Sequence, residues 1–408
     1  MKRLFTLAAA TTLAAASLSA QAQAPITIDG QITPAEIATG GYTLVGTYTG
    51  TRGFSPNNMT DQAGLLSLYA AADANNVYFF LAGTLETDKG NGNIKNSLQI
   101  FVDRPGISGV PVGTKLPVPA AATAPAVNTS FEKFAPFLDL PADMGIAIKG
   151  NGQAGQIQVE GIVYAGGTTP TANATVLSGS MGIATTGAVA AVTGQTGVFT
   201  IFNGAQVAYR TSVSLNTNPG FASNGQIPPA NGLEVAVSRA SIGLAANGGP
   251  VLVFALQNNG NGDFASSDFI PQNSGPLPAS FTNAPNLGGN PDFRLVPGTQ
   301  AATVNVGAGT GVTVLATKAA DAAAIGLSIY PNPSEGASTV QYAVTERAAN
   351  VNIVLTDLVG RSVRVLENSI KAVGTQRTPL NTSNLAAGSY LVRVQVGERV
   401  STSKVSVL

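Results

Sequence analysis

Histidine, cysteine and tryptophan are all missing from this 408-residue chain. The lack of histidine removes the imidazole general base, the Ser-His-Asp triad and the commonest metal ligand. Without cysteine there is no thiolate nucleophile, no thiolate zinc site and no disulfide. Missing tryptophan takes away the largest aromatic platform for stacking on a sugar ring. What remains for chemistry is carboxylates, Ser/Lys pairs, tyrosine and cations bound through oxygen.

Charge is also scarce, at 10% of residues with a formal net charge of zero. Apolar residues nevertheless reach 44%, which argues against a disordered chain. Glycine (47) and proline (24) punctuate short apolar runs, the pattern of an all-β protein with many turns. The length allows two or three domains.

The chain opens MKRLFTLAAATTLAAASLSAQAQA. Two cations, an apolar and small-residue run, then Ala20-Gln21-Ala22 make the three-part build of a secretory signal peptide over residues 1–22, cut between Ala22 and Gln23. An N-terminal anchor is the alternative, against which stand the shortness of the run and its polar follow-on. No later stretch reaches the about 18 uninterrupted apolar residues of a membrane span. The expectation is export without a transmembrane segment.

At the other end, LSIYPNPSEG opens a segment of different charge. Residues 327–408 hold eight basic and five acidic side chains, whereas 25–326 hold 11 and 16. A linker over 312–326 between cargo 23–311 and tail 327–408 follows from that asymmetry. Inside the tail, STVQYAV, VNIVLTDL, SVRVLEN, SYLVRVQV and STSKVSVL alternate as short strands of a small immunoglobulin-like sandwich. Here the residues resemble the type A C-terminal sorting domain of the type IX secretion system. Pro331, Asn332 and Pro333 match the opening motif of that family. Asp357, Gly360 and Arg361 match its central turn, and Gly388, Tyr390 and Lys404 its closing strands. The resemblance implies partners in the type IX machinery and its sorting peptidase, passage through periplasm and outer membrane, and a secreted or surface-held cargo. An ordinary immunoglobulin-like accessory domain is the competing reading.

The cargo reads as a large β-sandwich of jelly-roll or family 9 carbohydrate-binding-like type. Strand-like runs include LLSLYAAAD, NVYFFLAGTLE, SLQIFVD, GQIQVEGIVYAG, GVFTIFNG, GLEVAVSRASIG and PVLVFALQ, with ADANN as a tight hairpin turn. A short turn is expected at TPAEI, with Thr33 placed to cap it. Residues 166–197 and the Pro-rich stretch from 110 read as long loops or plain strands. ITIDGQITPAEI, LYAAADANNVYFFLAG, QIFVD and GLEVAVSRASIG resemble, in order, the family 9 carbohydrate-binding-like sandwich, which implies ligand binding on or beside a sheet face. The sugar-stacking tryptophans of that family are absent, and Ile37 stands where its early Glu is followed by Trp.

Three sets of side chains could carry chemistry in the cargo. Asp88, Asn91, Asn93 and Asp103, or Asn259, Asn261, Asp263 and Asp268, offer oxygens to Ca²⁺; solvated Asx turns explain the same residues. Glu86, Asp103, Glu160 and Glu234 are the carboxylates from which a glycosidase pair would come, needing a separation of about 5 to 9 Å. Tyr42, Tyr48 and Phe54 are the aromatics expected to be exposed for glycan stacking, while Tyr78, Phe79 and Phe80 are expected in the core. GNGN and GNNGNGDF lack the ending and helix of a phosphate loop, and the acidic cargo offers no basic patch for nucleic acid. The reading is a non-enzymatic exported sandwich binding glycan or another surface component. A structural or adhesive protein is the second reading and a carboxylate glycan enzyme the third, with catalytic, cofactor and metal residues unassigned.

Overall fold

The computed structural model describes residues 26–408 except 39, 49–62, 89, 120–128, 245–247, 273–286, 297–298, 316–324, 345–348, 358–361 and 397–398. Architecture is all-β, as the residue pattern predicts, with four antiparallel sheets. No helix among the described residues is long and apolar enough to cross a membrane.

Two sheets build the cargo. One contains β1 (Gln31–Ile32), β2 (Thr43–Thr47), β3 (Gly64–Ala72), β4 (Asn76–Thr84), β9 (Thr186–Ala191), β10 (Gln206–Arg210) and β11 (Ala230–Ser238), in the order β2-β3-β4-β11-β10-β9 with β1 on β11. The other contains β5 (Asn96–Asp103), β6 (Met144–Gly150), β7 (Gln156–Ala165), β8 (Thr171–Ala184), β12 (Gly249–Asn259), β13 (Ala265–Ile270), β14 (Ala302–Val306) and β15 (Val312–Leu315). Its order is β15-β14-β12-β5-β6-β7-β8, with β13 on β12. Leu68, Ala70, Phe79, Leu81 and Val235 of the first sheet meet Leu98, Ile100, Ile146, Val159 and Val253 of the second in the shared core.

Both outer faces of this sandwich are covered as well. On the outer face of the first sheet Tyr69, Tyr78 and Phe80 pack with Tyr42 and Leu215 from outside the strands, and on that of the second Phe101, Tyr164, Phe254 and Phe269 pack with Phe131, Phe134 and Phe293. That double burial explains why β3 is buried at every position and reads as a continuous apolar run rather than an alternating one. The expected hairpin is present, with Asp73 Oδ1 accepting the backbone N–H groups of Asn75 and Asn76, both at 2.7 Å.

Local expectations fail in three places. GVFTIFNG, expected as a strand, forms a 3-10 helix over Gly197–Phe202: Gly197 sits at φ 59° and the Thr200 hydroxyl donates back to the Gly197 carbonyl at 3.0 Å, wrapping the run so that Phe202 is buried. The turn at TPAEI is there, but the Thr33 hydroxyl donates to the Glu36 carboxylate at 2.8 Å instead of capping a backbone N–H. Residues 312–315, expected to begin the linker, pair with β14 as β15 and extend the cargo sheet.

Two smaller sheets form the tail. β16 (Ser328–Tyr330), β17 (Ala337–Val344) and β20 (Gly374–Asn381) make one, in the order β16-β17-β20. β18 (Ala349–Thr356), β19 (Ser362–Lys371), β21 (Gly388–Val396) and β22 (Arg399–Val407) make the other, in the order β19-β18-β21-β22. Val340, Tyr342, Val351, Ile353, Leu355, Leu380, Val392, Val394 and Val405 fill the space between them. β20 contains Pro379 and lies at a sheet edge, where a missing N–H is tolerated.

Candidate functional site

In the Pro331-Asn332-Pro333 stretch it is the asparagine side chain that makes the contacts to β22. Pro331-Asn332-Pro333 forms an exposed bend after β16, with cis peptide bonds before both prolines, and lies beside β22. Asn332 Nδ2 donates to the carbonyl of Lys404 at 2.8 Å, and its Oδ1 accepts the N–H of Ser406 at 2.9 Å. One side-chain amide thereby imitates a strand partner for β22. Backbone pairing continues the contact: Ser334 N–H donates to the Ser406 carbonyl at 2.7 Å and Leu408 N–H to the Ser334 carbonyl at 3.1 Å. The opening motif and the final strand are thus one structural unit, and the free edge of β22 is occupied from Lys404 onward.

Other tail positions sort as follows. Gly388 opens β21 opposite Val407, and the Tyr390 hydroxyl donates to the Ala386 carbonyl at 2.9 Å, closing the turn before β21. Asp357 directly follows β18; Gly360 and Arg361 lie outside the described residues, as do Ala22 and Gln23. Ser334, Ser406 and Leu408 carry much of the contact and were missed in the sequence reading, since backbone pairing across 72 residues leaves no local signal.

In the cargo, the oxygen sets proposed for Ca²⁺ divide. Asp88 Oδ1 accepts Gly90 N–H at 2.8 Å while Oδ2 faces Lys95 Nζ at 3.2 Å, and Asn91 Oδ1 accepts Asn93 N–H at 2.9 Å. Glu86 N–H donates to Asn96 Oδ1 at the start of β5, so Asp103 at its other end is about 24 Å of strand away. Asn259 and Asn261 donate their side-chain amides to Asp263, which also faces Lys133 at 3.4 Å, whereas buried Asp268 accepts Leu65 N–H. These are Asx turns and ion pairs. Among the described residues no three His, Cys, Asp or Glu side chains gather where they could hold a metal ion.

The carboxylates divide in the same way. Glu160 lies on the outer face of the second cargo sheet, where its Oε2 accepts Ser130 N–H (2.8 Å) and Oγ (2.6 Å), its Oε1 accepts Gln158 Nε2, and Lys149 Nζ is 3.9 Å away. Burial raises the Glu160 carboxyl above the ordinary range, against the pull of Lys149. Glu234 lies on the outer face of the first sheet, its Oε2 accepting Asp29 N–H and Gly30 N–H and its Oε1 accepting the Tyr42 hydroxyl at 2.8 Å. Burial pushes Glu234 up to about 7, and burial, with the Glu234 charge second, holds the Tyr42 phenol well above its usual range. Both sheets and the core between them, about 10 Å thick, separate Glu160 from Glu234, so they cannot flank one bond. Asp103, half-buried, is raised to about 6 by burial and the Asp143 charge, and Asp143 itself is tied to Arg104.

Aromatic expectations are corrected. Tyr42 and Tyr48, expected on the surface, are 4% and 3% exposed; Tyr42 packs against Tyr69 and Phe80 because its ring completes the cover over the first sheet. Tyr78, Phe79 and Phe80 are buried as expected, and Phe54 lies outside the described residues. Glu36, noted only as the glutamate before Ile37, was given no role: it is 5% exposed and accepts Thr27 N–H, Thr33 N–H and the Thr33 hydroxyl. Its signal was a carboxylate three residues after a threonine.

No curated protein matches the sequence. Among solved structures, similarity is found to dimeric latent PorU from Porphyromonas gingivalis, at 10% identity and TM-score 0.18, covering 86% of this chain and 34% of that one. PorZ, an essential surface component of the type-IX secretion system of the same organism, is similar at 14% identity and TM-score 0.16, with 84% and 45% covered. The chain therefore spans about a third of the first protein and under half of the second. Residues 328–408 match the family model described as the secretion system C-terminal sorting domain. That span takes in the Asn332 clasp and every tail strand, so the similarity to a secretion system C-terminal sorting domain lies wholly in the tail.

Proposed function

We propose that this chain is a non-enzymatic cargo of a type IX secretion system, a secreted or surface-displayed β-sandwich of structural or adhesive character. Residues 1–22 take it to the periplasm, and 327–408 are read by the type IX machinery and removed by its sorting peptidase. The observation that carries the reading is the clasp of Asn332 onto β22, which holds the first and last motif residues of the tail in one folded signal. For the cargo, support comes from Glu160 and Glu234: each is engaged in buried hydrogen bonds on opposite outer faces, so these two cannot act as a facing acid and base. Tyr42 and Tyr48 are likewise spent on the core, which counts against a glycan-stacking surface.

The test is deletion of residues 327–408 in a type IX host. Cargo should accumulate in the periplasm, and surface delivery at the level of the full chain would refute the reading. N-terminal sequencing of the exported protein should begin at Gln23.

A further inference from the structure

The two outward faces of the tail are unlike each other. On the three-stranded sheet, the outward positions of β17 and β20 carry Thr339, Gln341, Thr375 and Arg377 with Ala343 and Pro379, a mainly polar surface. On the four-stranded sheet, Val351, Ile353 and Leu355 of β18 point to the core, so Val354 points outward and pairs with Val365 of β19. Val363 and, beyond the register shift, Ile370 share that outward side, and Leu391 of β21 joins them next to β18. Val363 is 42% exposed, Val365 57% and Ile370 74%, large values for aliphatic side chains on one strand. Two cations border the strip, Arg393 beside Val354 and Lys404 beside Leu391. No carboxylate occupies an outward position of these strands among the described residues.

We infer that this face, built on Val363, Val365, Ile370, Arg393 and Lys404, is the surface by which the tail docks on an acidic-rimmed apolar protein surface of its export machinery. The inference rests on the sorting role proposed above and names where the partner sits. Charge selects the occupant: a second tail would set Arg393 and Lys404 against like charges, and an anionic lipid surface calls for a cluster of about four to eight cations rather than two. The cargo does not cover the strip, which stays exposed in the whole chain. On β22 the edge from Lys404 onward is already taken by Asn332 and Ser334. Four strands about 4.8 Å apart and about eight residues long offer roughly 500 Å², less than the about 800 Å² per partner of a stable complex. A contact of that size can be made and released, as delivery requires.

The experiment follows delivery of the full-length chain in a type IX host, with protease resistance and melting temperature of each purified variant as the measure of folding. Val365→Glu with Ile370→Glu, and separately Arg393→Glu with Lys404→Glu, should each lower surface delivery about tenfold, the effect of losing interface anchors. Thr339→Glu with Thr375→Glu, on the polar face, should deliver like the unaltered chain. If the glutamates unfold the tail, Val365→Ser with Ile370→Ser replaces them and should show the same loss. Folded variants delivered normally, while deletion of 327–408 strands the cargo, would overturn the docking face and leave the sorting role intact; delivery without 327–408 would overturn the sorting role itself. Binding of the purified chain to phosphatidylglycerol vesicles that is lost in Arg393→Glu/Lys404→Glu, with delivery unchanged, would also overturn the protein partner.

Discussion

Glu234 and Gly30, 204 residues apart, meet through a 2.9 Å hydrogen bond from the Gly30 N–H to the buried carboxylate. The neighbouring Asp29 N–H makes a second bond to the same oxygen, so one strand of the first cargo sheet holds the chain's opening segment in place. Burial outweighs these bonds and lifts the Glu234 pKa from 4.5 to about 7. Between those values the folded state holds a proton that the unfolded chain has released, so the stability contributed by Glu234 is complete below about 4.5 and is lost as pH rises through about 7. The cost of ionisation is at most about 3 kcal/mol. Glu234→Gln mimics the protonated group, so urea unfolding should show the variant close to the parent at pH 5 and relatively more stable at pH 8. Asp103, raised to about 6, adds to the slope of both proteins and cancels in the comparison.

Gly30 itself has φ 73°, and a Cβ there would fall 2.4 Å from the Arg210 nitrogen and 2.8 Å from the Tyr209 carbonyl carbon. Both are backbone atoms of β10 and cannot swing aside. Gly30→Ala should therefore cost about 2 kcal/mol or more, combining left-handed backbone strain with a forced shift. Denaturant midpoints at fixed m-value would measure it, and a loss below about 0.5 kcal/mol would contradict the close approach.

The tail was legible because its strands are short and buried on one face. β17 alternates between buried and partly exposed positions through Val344, so period two was visible in the residues themselves. Cargo strands carry less information of that kind. β4 is buried at eight of nine positions because apolar segments lie over its outer face, and nothing local says which side Tyr78 or Phe80 takes. For the same reason Tyr42, in a loop-rich and polar stretch, looked like surface: the sheet that buries it is formed by residues far along the chain. The carboxylates fail similarly, since Glu160 and Glu234 look alike on apolar strands and only sheet order puts them on opposite sides of the sandwich. The Asn332 motif was recognisable, but its partner on β22 was not, because a side-chain amide bonding to backbone depends on no particular residue at Lys404 or Ser406.

Glu160 and Lys149 supply a third prediction. Their side chains are 0% and 8% exposed, and removal of the carboxylate takes an anion from beside the buried Lys149 ammonium, which keeps its bond to the Gly260 carbonyl at 2.7 Å. Glu160→Ala should cost about 3 to 5 kcal/mol, the range for breaking one side of a buried pair, while Glu160→Gln keeps the side-chain shape and one of the two acceptor oxygens and costs less. Calorimetry at pH 7 separates the two, and equal losses would show that shape rather than charge is what Lys149 requires.

The last prediction concerns the clasp. Asn332→Ala removes both the donor to Lys404 and the acceptor from Ser406, two exposed bonds worth together about 1 to 2 kcal/mol. Asn332→Asp keeps the acceptor for Ser406 N–H and turns the other oxygen towards the Lys404 carbonyl, which repels it. Hydrogen exchange at the Ser406 amide distinguishes these cases. Protection should fall markedly in Asn332→Ala and largely persist in Asn332→Asp, whereas the Val394 and Val405 region of the core should stay protected in both. Loss of protection throughout the tail in Asn332→Ala would mean that the clasp is needed for folding the sandwich; unchanged protection at Ser406 would mean that Ser334 alone holds the edge of β22.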